Sequence, residues 1–138
     1  LIAIISIGVF SLIVEMPINN ILFIFIFGFL SAFILGSLGF ITGLWAEKFD
    51  HTATVTNFII TPLSFLSGVF YSIDKLPKFF QTISHINPFF YMIDGFRYGF
   101  LGKSDGSISV GLIYLTILSI LMWYVAFFLY KKGYKIKS

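Results

Sequence analysis

From Met16 to Ala46 the chain runs for 31 residues without a charged side chain. A helix needs about 20 apolar residues to cross a bilayer. Ile21–Ala46 supplies 26, about 39 Å of helix at ~1.5 Å per residue. Glu15, Pro17, Asn19 and Asn20 punctuate the chain just ahead of it as a turn. Thr52–Ile73 is a second uncharged run, of 22 residues, and a third reaches Tyr130 from Gly106. Leu1–Val14 is apolar but offers only 14 residues, and it lacks the basic opening and small-residue cleavage site of a signal peptide. It reads as part of a span that begins before Leu1.

Charged residues make up 11% of the chain and apolar ones 58%. Soluble domains carry about 25% charge, and nine basic with six acidic residues cannot clothe a wet surface. A disordered chain needs the opposite balance, low hydrophobicity with high net charge. The fold class expected is therefore an all-α polytopic membrane protein. It forms one transmembrane domain over residues 1–138: a partial span at 1–14, spans at 21–46, 52–73 and 107–130, a hairpin at 76–101 and a tail at 131–138.

The absence of cysteine removes disulfides, Cys-based zinc sites and thiol chemistry together. No phosphate-binding Gly-x-x-x-x-Gly-Lys-Ser/Thr, no His-Glu-x-x-His and no Gly-x-Ser-x-Gly occurs. No catalytic, cofactor-binding or metal-ligating set follows from the residues; His51 and His85 are expected on opposite faces. Lys131, Lys132, Lys135 and Lys137 crowd the last eight residues. That tail is too small for nucleic-acid binding and reads as a cytoplasmic anchor beside membrane lipid, with Trp123, Tyr124, Tyr130 and Tyr134 as an interfacial belt.

Within the runs, Gly28, Ala32 and Gly36, then Gly39 and Gly43, are spaced by four, which favours close helix approach in lipid, in a buried helix–helix contact or in a dimer seam. Pro62 removes a backbone donor, so a kink is expected near Ile60–Thr61. Between Asp74 and Gly102 the pattern shortens. Ser72 or Asp74 can cap a helix with Pro77 in its first turn, and Leu76, Phe79, Phe80, Ile83 and Ile86 form one apolar face. Asn87-Pro88 breaks that helix, and a second runs from Pro88 to about Leu101.

Whether this pair crosses the membrane is contested by two arguments. If it crosses, Lys75, Lys78 and the tail lysines face Lys48 and Lys103. If it dips in and returns, Lys48 and the tail face Lys75, Lys78, Arg97 and Lys103, a weaker positive-inside bias. Against crossing stand Gln81, His85, Asn87, Pro88, Asp94 and Arg97; a re-entrant hairpin fits both polarity and proline. Asp94 and Arg97 are the best functional candidates, because ionisable residues in membrane segments usually line a water-filled path. A mutual salt bridge at i, i+3 is the alternative.

Ile60-Thr61-Pro62-Leu63-Ser64-Phe65-Leu66-Ser67-Gly68-Val69-Phe70-Tyr71, then Leu76-Pro77…Ile83-Ser84-His85-Ile86-Asn87-Pro88 and Asp94-Gly95-Phe96-Arg97-Tyr98-Gly99, resemble the C-terminal signature of the ABC-2-type transporter permeases, the membrane subunits of bacterial ATP-driven exporters. The resemblance covers about Ile21 to the C-terminus. It implies the C-terminal portion of a six-span permease in the bacterial inner membrane, with a re-entrant hairpin on the outer side before the last span. Two earlier spans and the main coupling loop would precede Leu1.

The resemblance further implies a separate ABC ATPase that carries ATP and Mg, no cofactor on this chain, and a second permease copy or paralogue. Glu47, Lys48, Phe49 and Asp50 would form a minor ATPase-facing loop. Gly68, Phe70, Tyr71, Asn87, Pro88, Asp94 and Arg97 would frame an outer gate. The substrate implied is amphipathic: a drug, a lipid or a lipid-linked glycan. Two competing classes are an ATP-independent channel or scaffold, and a lipid-acting membrane enzyme using His85 and Asp94 as acid and base.

Overall fold

The structure, a computed structural model, describes residues 2–13, 15, 17–46, 49–69 and 75–132. All regular structure among them is helical. Helix α1 spans Ile2–Ser11 and α2 spans Ile21–Trp45. Asn20 caps α2: its backbone is extended and its side chain accepts from the Leu22 N–H, 3.1 Å away. The last long helix, α7, covers Ile108–Lys131. Helices α2 and α7 are both long and apolar enough to cross a membrane. Phe25, Phe29, Ile113, Ile117 and Ile120 stand exposed along them, as a lipid-facing surface requires.

The run expected as a span at 52–73 folds as a continuous helical stretch from Phe49 to Phe65, about 25 Å at ~1.5 Å per residue. It comprises α3 (Phe49–Val55), a π-helical turn (Thr56–Ile60) and α4 (Thr61–Phe65). The wide turn sits directly before Pro62. Proline offers no N–H and clashes with the carbonyl one turn back, and lengthening the ladder to i→i−5 relieves both. The Thr61 N–H and hydroxyl both turn to the Thr56 carbonyl, the hydroxyl at 2.9 Å.

Two shorter helices follow, α5 (Lys78–Ile86) and α6 (Pro88–Leu101). Pro77 stands immediately before α5 rather than inside its first turn, and no side chain caps the helix; Ser72 and Asp74 lie outside the described residues. Asn87 ends α5 and caps α6, its Oδ1 accepting from the Phe89 N–H at 3.0 Å with Pro88 in the first turn. Gly102, at φ 66°, closes α6.

Helix α6 is the centre of the molecule, packed against α2 and α7. It runs antiparallel to α2: Asn20 N–H bonds the Gly99 carbonyl at 2.8 Å, and Gly95 faces Phe27 further along. It runs antiparallel to α7 as well, with Asp94 beside Gly106 and Tyr91 beside Gly111. The core joins Phe27 and Ile34 of α2, Phe90, Tyr91 and Met92 of α6, and Leu115 of α7.

The small residues of α2 meet a different fate from the close approach expected of them. A Cβ added at Gly36, Gly39 or Gly43 would meet nothing within 4 Å, and one at Gly28 only the Phe96 ring at 3.6 Å. The reason is length, since α6 covers only the first half of α2. Close approach is made instead by Gly95 and Gly99 of α6. A Cβ at Gly99 would lie 2.5 Å from Ile24 Cγ1 and 2.9 Å from the Ile24 nitrogen.

Candidate functional site

A helix leaves its last four carbonyls without intrahelical partners, and a carbonyl held in an apolar medium is costly to leave unpaired. The hairpin residues meet this need for their neighbours. Asn87, 2% exposed, donates from Nδ2 to the Leu63 carbonyl at 2.6 Å. Leu63 belongs to the last turn of α4, so one side chain caps α6 and completes α4. Arg97 donates from Nη2 to the Gly68 carbonyl at 2.7 Å, in the turn after α4 where Gly68 takes φ 78°. Tyr114 of α7 donates from its hydroxyl to the Ile86 carbonyl at 2.7 Å, at the end of α5.

Asp94 and Arg97 do not pair with each other. Arg97 Nη1 reaches Asp105 Oδ2 at 2.9 Å, on the loop that leads into α7. Asp94, 3% exposed, accepts from the backbone N–H of Asp105 at 2.7 Å and of Gly106 at 3.0 Å, one on each carboxylate oxygen. The i, i+3 pairing gives way because α6 packs against the 102–107 loop, whose amides satisfy both Asp94 oxygens. Arg97 is left to bridge that loop to the turn after α4. Gly106 fits closely here, for a Cβ would lie 3.0 Å from the Phe90 ring and 3.3 Å from Asp94 Oδ2.

Asp94 and Arg97 thus share Asp105 and tie α6 to the entry of α7 and the turn after α4, while Asn87 separately ties the start of α6 to α4. The buried Asp94 carboxylate has both oxygens held by amides of the loop before α7. His85 packs edge-on against Phe90, ring centroids 5.3 Å apart, and the structure gives it no hydrogen bond to Asp94. His51 sits against Trp45 at the far end of α2. Among the described residues no group of three His, Cys, Asp or Glu could hold a metal.

Of the outer-gate residues expected from sequence, Arg97 bonds the Gly68 carbonyl and shares Asp105 with Asp94, Asn87 and Pro88 lie at the other end of α6, and Phe70 and Tyr71 lie outside the described residues. In the expected ATPase-facing loop, Glu47 and Lys48 also lie outside them; Phe49 opens α3 and Asp50 is exposed in its first turn. Sequence reasoning missed Asp105, Gly106 and Tyr114. Asp105-Gly106 carried a signal, an acid and a glycine at the mouth of a span. Tyr114, one more aromatic in an apolar run, carried none.

A family profile described as ABC-2 type transporter matches residues 1–101. The inner membrane transport permease YadH of Escherichia coli K12 is 38% identical over 109 residues, covering 79% of this chain and 43% of its own length. Nodulation protein J of Sinorhizobium fredii NGR234 is 27% identical over 97 residues, 70% of this chain and 37% of its own. Nodulation protein J of Rhizobium leguminosarum bv. viciae is 30% identical over 90 residues, 65% and 35% respectively. The chain therefore spans less than half the length of these curated relatives. No solved structure matches it.

Proposed function

This chain belongs to the ABC-2 type transporter family, and from that premise we propose that it forms the C-terminal part of the permease subunit of an ATP-driven exporter in the bacterial inner membrane. A separate ABC ATPase hydrolyses ATP, and a second permease copy or paralogue completes the path. The cargo is an amphipathic molecule: a lipid, a lipid-linked glycan or a drug.

The observation that carries this reading is the geometry of α5 and α6. At 9 and 14 residues they measure about 13 and 21 Å, short of the ~30 Å hydrocarbon core. The C-terminal end of the pair is tied to the start of α2 and the entry to α7. Arg97 is bonded to the turn after α4 and to the loop before α7, and Asn19 and Asn20 bond the carbonyl of Gly99. A hairpin that enters and leaves on one side supports the re-entrant placement, on the face opposite the lysine tail.

The stretch from Phe49 to Phe65, with the turn that follows it to Gly68, then runs from the ATPase-facing loop towards the hairpin. A push on the Glu47–Asp50 loop by the ATPase travels along it to Leu63 and Gly68, whose carbonyls are held by Asn87 and Arg97. The hairpin follows that movement, and the outer gate opens.

The test is mild solubilisation of the tagged full-length permease from its native membrane. A P-loop ATPase is expected to co-purify in stoichiometric amount, and export from vesicles is expected to require ATP. A permease that purifies alone, with flux independent of ATP, overturns the reading in favour of a channel.

A further inference from the structure

Helices α2 and α7 run parallel and pack directly on each other, and their shared outer face holds three adjoining cavities. One of about 370 Å³ lies between Phe25 and Ile26 of α2 and Leu112 and Thr116 of α7. The next, about 320 Å³, is lined by Phe29, Leu30, Phe33, Ile120 and Trp123. The third, about 330 Å³, lies among Phe33, Gly36, Phe40 and Ala126. Phe29, Leu30 and Phe33 are shared between neighbours, so the three form one groove, about 22 Å long from Phe25 to Phe40 at ~1.5 Å per residue. It is mainly apolar, with Ser37, Thr116 and Ser119 as its polar side chains. The hydroxyls of Thr116 and Ser119 turn back onto carbonyls of α7, at 2.7 and 2.8 Å. The seam thus suits hydrocarbon.

The groove points at lysine. Lys131 follows Phe127 by four residues, Trp123 by eight and Ile120 by eleven, which places all four on one helix face. Trp123 and Phe127 stack along that face, with centroids 5.6 Å apart. Lys132 extends over the Phe128 ring, Nζ 4.5 Å from its centre, and both lysines are exposed. Among the described residues, the charged side chains at this end are Lys131 and Lys132 at the end of α7 and Asp50 in the first turn of α3. After Asp105, at the other end of α7, no acidic residue follows. Lysines just outside a span, facing a cleft between helices, attract anionic headgroups.

We propose that the seam between α2 and α7 is a binding site for an anionic phospholipid of the surrounding bilayer, with an acyl chain in the groove and the phosphate at Lys131 and Lys132. The site rests on the membrane placement of these two helices and not on the transport cycle. It can therefore stand if the ATPase partner fails to appear, and fall while export persists.

The experiment is native mass spectrometry of the full-length permease reconstituted with equal phosphatidylglycerol and phosphatidylethanolamine. The natural chain is expected to retain phosphatidylglycerol preferentially. The double substitution Lys131→Gln, Lys132→Gln should cut that retention about 30-fold, from two lysine contacts near the surface. Lys131→Arg, Lys132→Arg should preserve it. Gly36→Phe, built where an added Cβ meets open space, should fill the groove and displace the lipid with the lysines intact. Equal retention of the two lipids overturns the proposal. So does unchanged retention in the glutamine or Gly36→Phe variant, or a natural chain with no lipid because another span covers the seam. Should Gly36→Phe not fold, the glutamine and arginine pair decides alone.

Discussion

Gly99→Ala and Gly36→Ala are the same chemical change with opposite expected signs. At Gly99 the new Cβ lies 2.5 Å from Ile24 Cγ1 and 2.9 Å from the Ile24 nitrogen, where carbon contacts settle at ~3.5–4.0 Å. The side chain can turn away but the backbone cannot, so α6 must part from α2 by about 1 Å. Overpacking of this kind costs about 1–3 kcal/mol. The same movement strains the bonds from Asn19 and Asn20 to the Gly99 carbonyl, at 3.1 and 2.8 Å, each worth about 1 kcal/mol. Alanine returns about 0.8–1.0 kcal/mol through helix propensity, which leaves a net loss of about 2 kcal/mol. At Gly36 nothing lies within 4 Å, and only the propensity gain of about 1 kcal/mol remains.

Thermal unfolding of the full-length chain in detergent reads the difference. About 3 kcal/mol between the two variants corresponds to roughly 6–12 °C for a chain of 150–250 residues. Adding Ile24→Ala to Gly99→Ala should recover part of the loss, because the Cγ1 contact goes and the nitrogen contact stays. If Gly99→Ala unfolds no earlier than Gly36→Ala, α2 and α6 do not touch as described and the close-approach argument fails.

Asn87→Asp keeps the cap on α6 but replaces the Nδ2 donor with an oxygen facing the Leu63 carbonyl. Unfolding should come about 1–3 kcal/mol easier, with proteolysis at 66–70 rising before it rises elsewhere; equal protection there would refute the cross-link to α4. Asp94→Asn leaves one carboxamide oxygen for two amide donors, so about 1–3 kcal/mol of stability is lost, measured by the same thermal scan; no loss would show that the Asp105 and Gly106 amides have other partners. Pro62→Ala supplies the missing N–H and lets the stretch from Phe49 to Phe65 close into regular α-helix. Export at matched expression should fall, and unchanged export would remove the π-helical turn from the mechanism. With no native cysteine, single cysteines at Lys103 and Lys135 report sidedness: an impermeant reagent applied to intact cells should label the first and spare the second, whereas labelling of both or neither contradicts the re-entrant hairpin.

The elements whose cause is local were legible from residues alone. Charge-free length marked α2 and α7, and Asn87-Pro88 marked the break between α5 and α6 to the residue, because cap and proline both act on the backbone beside them. What stayed hidden was pairing across elements. Asp94 and Arg97 suggested each other because they share a helix face at i, i+3, yet each found its partner on the 102–107 loop or in the turn after α4. That outcome depends on which side of α6 meets α7, and no periodicity in an almost wholly apolar chain encodes it. Gly95 and Gly99 carried the same spacing of four as the glycines of α2. The pattern shows which residues permit close approach, and the short length of α6 decides which of them receive it.

The two ends of the bundle divide the work on physical grounds. At the hairpin end, the polar side chains of α6 are committed to backbone groups of other elements, so charge there serves to hold shape in a medium with no water to replace a lost bond. Asp94 is held in this way by the amides of Asp105 and Gly106, one on each carboxylate oxygen. At the lysine end the charges lie in excess and exposed, and the adjoining surface is bare hydrocarbon. Rigidity is concentrated where the gate is proposed, and free charge where lipid headgroups are available to meet it.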